Sequence, residues 1–164
     1  MLQLKRLSLN DGLDIYQMLQ EISSNDNGFH NKVYGMTIDE YKQWLRREYD
    51  VDNGCLEDWM VPQSSFWLYD GEYPVGYGRI RHKLNDRLEQ MSGHIGYAIR
   101  KTQRNKGYGN NILTLLLNEC RSLGLQSVQI SANEDNAPSN KIIKRHGGEL
   151  IRIDVGKCFY KINL

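Results

Sequence analysis

A chain of 164 residues with a formal net charge of +1 carries no global surplus of positive charge to hold nucleic acid or an anionic membrane. Hydrophobic residues make up 40% and charged residues 25%, the balance of a soluble globular class, and no apolar run approaches the roughly 20 residues that cross a bilayer. Cys55, Cys120 and Cys158 are odd in number, far apart and in no CxxC pair, so a disulfide framework is not expected, nor a metal site. The start, Met1 to Arg6, lacks the order of a signal peptide. A single domain over residues 1–164, reduced and cytoplasmic, is the expectation.

Residues 2–8 alternate and predict a first strand. Asn10 or Asp11 can cap the helix that follows, on which Leu13, Ile15, Tyr16, Leu19 and Ile22 form a stripe. Ser23 to Gly28 breaks it with turn-forming residues. Thr37 and Glu40 have the spacing of a capping box, and Tyr41, Trp44, Leu45 and Tyr49 give the second helix a bulky face. From Asp50 to Pro62 the pattern dissolves into a long loop. Ser64 to Tyr69 predicts a strand, Asp70-Gly71-Glu72 a hairpin turn, and Pro74 to His82 the returning strand. Its alternation puts Val75, Tyr77, Arg79 and Arg81 on one face. Leu84 to Gln90 is polar and reads as a connector.

Ser92 to Ile99 is the next strand. Arg104-Asn105-Lys106-Gly107-Tyr108-Gly109 follows, and then a helix from about Ile112 to Leu123, with Ile112, Leu116, Cys120 and Leu123 on one face and Leu113 and Leu117 widening it. Gly124 caps its C-terminus. Leu125 to Ala132 is a strand. Asn136 can cap a further helix with Pro138 in its first turn, and Ile142 and Ile143 face the core. Gly147-Gly148 ends that helix. Glu149 to Asp154 and Lys157 to Ile162 close the chain as a hairpin turned at Val155-Gly156.

The basic turn between strand and helix carries the chemistry. The first amides of a helix have no partner within it, and the helix dipole adds partial positive charge there. Gly107 and Gly109 let an anion approach the backbone. Arg100, Lys101, Arg104 and Lys106 stand around the turn with no acidic residue among them. Such a loop is suited to a pyrophosphate. Neither the Rossmann glycine fingerprint nor a P-loop is present.

Arg104-x-x-Gly107-x-Gly109 resembles the Arg/Gln-x-x-Gly-x-Gly/Ala signature of the GNAT family of N-acetyltransferases. The order of elements is similar to that family's over nearly the whole chain, and the likeness is sharp from about His94 to Gly148. It implies an α/β fold with a mixed, mostly antiparallel sheet whose fourth strand (92–99) and fifth strand (125–132) splay. It implies acetyl-CoA as co-substrate, its pyrophosphate on Arg104, Asn105, Lys106, Gly107, Tyr108 and Gly109, and its pantetheine amides on Tyr97, Ala98 and Ile99. Asn136, with Asn140 beside it, matches a family asparagine that contacts the cofactor. Two positions depart from the pattern. Ile143 stands where many members carry a proton-donating Tyr, and Gly148 where a Phe is common.

The resemblance therefore implies transfer of an acetyl group to a primary amine, by direct attack in a ternary complex, in a monomer or homodimer. A non-catalytic CoA-binding module on the same fold is the alternative, supported by the absent Tyr. His94 is the candidate general base, since its ordinary pKa suits the task; His82 is a weaker one, and His30 and His146 read as surface residues. Phe29 and Trp59, aromatic residues in turn-rich segments, are candidate walls of an acceptor pocket.

Overall fold

The computed structural model describes residues 1–164. The elements run β1 (Leu2–Arg6), α1 (Leu13–Gln20), β2 (Asn25–Asp26), β3 (Phe29–His30), α2 (Ile38–Asp52), β4 (Gln63–Asp70), β5 (Tyr73–Arg81), α3 (Asp86–Met91), β6 (Ile95–Ile99), α4 (Tyr108–Ser122), β7 (Ser127–Asn133), α5 (Ala137–Arg145), β8 (Glu149–Asp154) and β9 (Lys157–Asn163). They form one four-stranded sheet, ordered β1-β4-β5-β6, and one three-stranded sheet, ordered β7-β9-β8, plus the small β2–β3 ribbon. Every ladder is antiparallel. The strands expected to splay are β6 and β7, and the break between the two sheets falls between them.

Local signals fix several elements. Thr37 and Glu40 close the capping box of α2, with Glu40 N–H to Thr37 Oγ1 at 3.2 Å and Thr37 N–H to Glu40 Oε1 at 3.0 Å. Asn136 caps α5, and the final hairpin turns at Val155 and Gly156, both with positive φ. Other elements differ from the sequence reading. Residues 25–30 form a hairpin about Asn27-Gly28, where the reading has only a break. The supposed connector holds α3, capped by the Asn85 side chain on Leu88 N–H at 2.9 Å. Neither Asn10 nor Asp11 caps α1, whose N-cap is Gly12. Asp11 Oδ2 accepts instead from Ser8 N–H and from Trp67 Nε1, both at 2.7 Å.

The first sheet is covered on both faces. Ile112, Leu113, Leu116, Leu117 and Cys120 of α4 pack against Phe66, Leu68, Val75 and Ile80, together with Val128, Ile130 and Ile162 of the second sheet. Leu123, expected on that stripe, is 45% exposed. Ile15, Met18 and Leu19 of α1 and Tyr41, Trp44 and Leu45 of α2 pack on the other face with Trp67, Tyr69, Tyr77 and Ala98. Val75 joins the α4 side rather than Tyr77's, because the β4–β5 register shifts between Leu68 and Tyr69 and places Val75 at the bulge.

The two sheets touch where β6 and β7 begin. His94 N–H donates to Gln129 O at 2.7 Å, and Gln129 N–H donates to His94 Nδ1 at 2.9 Å. The approach is so close that a Cβ on Gly93 would lie 2.4 Å from Gln129 O. That neighbour is backbone and cannot yield. Gly93→Ala is therefore expected to lower unfolding free energy by at least about 2 kcal/mol. Gly12→Ala, where a Cβ would meet nothing nearer than 4.0 Å, should stay within about 1 kcal/mol. Urea unfolding of both variants checks this.

Candidate functional site

Beyond the His94–Gln129 contact β6 and β7 diverge, and a cleft of about 820 Å³ opens between them. It runs from the β6–α4 turn, past Tyr97–Ile99 on one side and Ser131–Asn133 on the other, to the floor formed by β5 and the wall formed by α2. Ladder alternation decides which peptides face it. Arg81 N–H bonds His94 O and Arg100 N–H bonds Val75 O, so the even-numbered residues of β6 turn their peptide groups to β5. The peptides of Tyr97 and Ile99 turn toward the splay. Ala98 lines the cleft, but its peptide is directed at β5, so a main-chain bond from Ala98 to a ligand is not available. Ile99 O already accepts from Arg104 Nε at 3.0 Å.

At the cleft's end Gly107 caps α4 in the left-handed region, φ 86°, and Asn105 before it has φ 62°. The first helical bond is Asn111 N–H to Gly107 O, and the amides of Asn105, Lys106 and Gly107 have no acceptor in the protein. The amides of Tyr108, Gly109 and Asn110 come ahead of the helical ladder. Consecutive unsatisfied N–H groups at a helix start make an anion cradle. A Cβ on Gly109 would lie 3.1 Å from Ile142 Cδ1, so α4 and α5 converge there.

The side chains around the turn depart from the expectation. Arg100 is buried, paired with Glu21, bonded to Pro74 O at 2.9 Å and stacked over Tyr73. Arg104 pairs with Asp26 of β2 at 3.1 Å. Lys106 Nζ donates to Gln103, and Tyr108 OH reaches away to Asp70 at 2.7 Å. Two of the four basic groups are thus neutralised by acids distant in sequence. What the turn presents is a set of backbone amides, with Lys101 and Lys106 as the remaining cations.

On α5, Asn136 lines the cleft while its Oδ1 accepts from Ser139 N–H at 3.4 Å. Asn140 faces the other way and is fully used. It donates to Asn133 O and Asn136 O, both at 2.9 Å, and accepts from Tyr160 OH at 2.6 Å. It does not line the cleft in which most of the other expected cofactor residues stand. Ile143 is buried in the α4 core and offers no proton. The protic groups on this wall are Tyr97 OH and Ser139 Oγ, 3.5 Å apart; burial raises the Tyr97 pKa.

The structure uses His94 elsewhere as well. Its Nδ1 is the acceptor for Gln129 N–H, it does not line the cleft, and burial holds its pKa below the usual histidine value. It pins the two sheets and is out of place for a general base. His82 bonds Ser64 Oγ at 2.8 Å, and His146 ties Thr114 to Ile142 O. Phe29 lines the cleft, edge-on to Tyr77 at 4.9 Å and beside Gly96; Trp59, 61% exposed, stands at the rim with Nε1 on Glu57.

The sequence reading passed over Glu48, Asp52, Arg79 and Arg81 as chemistry. Glu48 lines the cleft and accepts from Gln63 Nε2 at 2.9 Å and Ser65 Oγ at 3.4 Å. Asp52 lies one turn on, its Oδ2 on Ser65 N–H at 2.8 Å and its Oδ1 buried with no partner. Burial pushes the Asp52 pKa up to about 7. The available signal was the i, i+4 spacing of Trp44, Glu48 and Asp52 on one face of α2.

The Acetyltransferase (GNAT) domain family model matches residues 2–149. RimL, the ribosomal L7/L12 alpha-N-protein acetyltransferase in complex with coenzyme A, superposes with a TM-score of 0.74 at 12% identity, over 99% of this chain and 94% of that one. The GNAT domain of S. lividans PAT superposes with a TM-score of 0.70 at 10% identity, over 99% and 90%. FdhC, a nucleotide-linked sugar GNAT, does so at 0.68 and 14% identity, over 99% and 86%. No curated protein sequence matches the chain significantly.

Two carboxylates give opposite pH dependences. The Arg100 guanidinium, with Thr102, holds Glu21 down to about 2, so its stabilisation is full above the unfolded value near 4.5 and is lost as pH falls toward 2. Asp52, raised to about 7, favours the folded state below its unfolded value near 4, and that advantage is lost as pH rises to 7. Unfolding free energies from pH 3 to 8 are expected to show a weaker acid-side loss in Glu21→Gln and a weaker decline between pH 4 and 7 in Asp52→Asn.

Proposed function

Since the chain belongs to the acetyltransferase (GNAT) family, we propose that it transfers an acetyl group from acetyl-CoA to a primary amine by direct attack. The observation that carries this is the cradle at the start of α4, with acceptor-free amides at Asn105–Gly107 opening onto the splay of β6 and β7. These residues fit coenzyme A. The amides from Asn105 to Asn110 take the pyrophosphate, Tyr97 and Ile99 offer peptide groups to the pantetheine amides, and Asn136 stands where the arm passes α5. Bound acetyl-CoA supplies an acyl group already activated as a thioester.

Phe29 and Trp59 bound the acceptor end. Of the carboxylates lining the cleft, Asp26 is held by Arg104, whereas Glu48 is in no ion pair. Glu48 is therefore assigned to draw the proton from the acceptor's ammonium, through water, leaving the free amine to attack. The C–N bond forms as the C–S bond breaks, and the thiolate leaves to be protonated. Positioning amine and carbonyl supplies most of the acceleration. A covalent route finds little support: no cysteine lines the cleft, and burial pushes Cys120 up to about 12.

Calorimetry should show acetyl-CoA binding that Gly107→Val weakens about tenfold or more, because a β-branched residue resists the left-handed backbone. Absence of binding to the wild-type protein would refute the proposal. With an amine panel and thiol-release detection, kinetics should be sequential, and Cys55→Ala/Cys120→Ala/Cys158→Ala should keep most of its activity. Glu48→Gln should lower kcat roughly ten- to hundredfold with little change in acetyl-CoA affinity.

A further inference from the structure

Arg79, Arg81, Arg87, Arg104 and Arg145 line the cleft, and of these Arg87 and Arg145 are exposed to solvent at its edges. Arg100 and Arg104 each have a carboxylate, Glu21 and Asp26. Arg79 and Arg81, which line the acceptor end, have none within 4.0 Å. They sit two residues apart on β5, on the face shared with Tyr77, so their Cα atoms are about 6–7 Å apart along the strand and both side chains start from the same floor.

Arg79 is spread over the rings of Phe29 and Tyr77, at 5.2 Å and 5.4 Å, and its one hydrogen bond goes to Tyr77 OH at 2.9 Å. Its Nε is fully buried with no acceptor. Arg81 uses NH1 on two neutral oxygens, Ser92 Oγ at 3.0 Å and Gly93 O at 2.9 Å. The acids facing them come from α2. Glu48 and Asp52 feel the Arg79 charge, but their hydrogen bonds are made to Gln63 and Ser65. Two largely desolvated cations at the floor of an open cleft, with most of their donors unused, form a receptor for a planar or tetrahedral oxyanion.

On the reading that this cleft receives the acyl acceptor, we infer that the acceptor is an amine that also carries a carboxylate or phosphate, and that Arg79 and Arg81 hold that anion. Phe29 and Tyr77 then cover its apolar stem, and Glu48 is left to face the ammonium end. The arginine pair also disfavours a second positive charge nearby, which promotes loss of the proton that must leave before attack. Specificity follows from the same arrangement. A neutral amine leaves two cations without a counter-ion, which costs binding that an anionic acceptor recovers.

The test compares matched acceptors at saturating acetyl-CoA: an amino acid against its carboxamide, and an amino sugar against its phosphate ester. In the wild-type protein the anionic member of at least one pair should have a kcat/KM at least tenfold higher. The pair that responds separates carboxylate from phosphate. Arg81→Gln, and Arg79→Gln where it folds, should bring that ratio toward one while acetyl-CoA affinity stays within twofold. The anionic members should also bind the coenzyme A-saturated protein in a calorimetric titration, without turnover. Equal use of neutral members, a ratio unchanged in Arg81→Gln, or neither turnover nor binding of any anionic member overturns this inference alone. Failure of acetyl-CoA itself to bind overturns the acetyltransfer reading beneath it.

Discussion

The site depends on one point contact between two sheets. At that point Gln129 is bound from several sides: its peptide is locked to His94 in both directions, and its side chain donates to Glu89 O at 2.7 Å and Ser92 O at 3.0 Å at the end of α3. The end of α3 and the start of β6 are thereby both fixed to the first residues of β7. Past this clamp the strands have no shared ladder, and the peptide groups of Tyr97 and the amide of Ile99 face the cleft, Ile99 O being taken by Arg104 Nε. An unpaired strand edge inside a protein is costly unless something occupies it. An extended ligand with amides of its own is a natural occupant. The same clamp explains why His94, just ahead of β6, is unavailable for proton transfer.

Keeping the cleft open is a separate task, done by helices. α4 and α5 converge at Gly109 and Ile142, and His146 links them again by bonding Thr114 Oγ1 at 2.8 Å and Ile142 O at 2.8 Å. Glu21 acts from the other side. It receives Arg100, the Thr102 amide and the Thr102 hydroxyl, so the end of α1 holds the turn that follows β6. Arg104 draws the β2–β3 hairpin onto the same turn through Asp26. The cradle is preorganised by charges that are themselves cancelled, and what it offers an anion is backbone amides whose path Gly107 permits.

Legibility in the sequence follows the range of the interaction. The Thr37 box, the Asn136 cap, the closing hairpin and the glycine cradle are encoded within a few residues, and each is found where the sequence puts it. The misassigned residues are those captured from far away. Asp11 can cap a helix, but Trp67, 56 residues on, takes its carboxylate. Arg100 can face a phosphate, but Glu21, 79 residues back, takes it. Asn140 can reach a cofactor, but Tyr160 and two carbonyls hold it. Sequence shows which bonds a side chain can make. Which partner reaches it first is decided by the assembled sheets. Arg79 and Arg81 are the converse case, since alternation placed them together while nothing local could show that no carboxylate would arrive.

The two ends of the cleft are built from different materials. The cradle end uses main-chain groups of β6 and α4, and the residues there need only permit a backbone path: a glycine at φ 86°, another where α5 presses close. The acceptor end uses side chains of α2, the β2–β3 hairpin and β5. Main-chain recognition tolerates almost any neighbouring sequence, and the fold itself is shared with structures at only 10–14% identity. Side-chain recognition has no such tolerance and changes with each acceptor. That division accounts for a resemblance that is sharp from His94 onward and faint before it. It also places the information about the acceptor in the half of the chain where family likeness is least help, and where the half-buried, unpaired Arg79 and Arg81 have to be read for their chemistry alone.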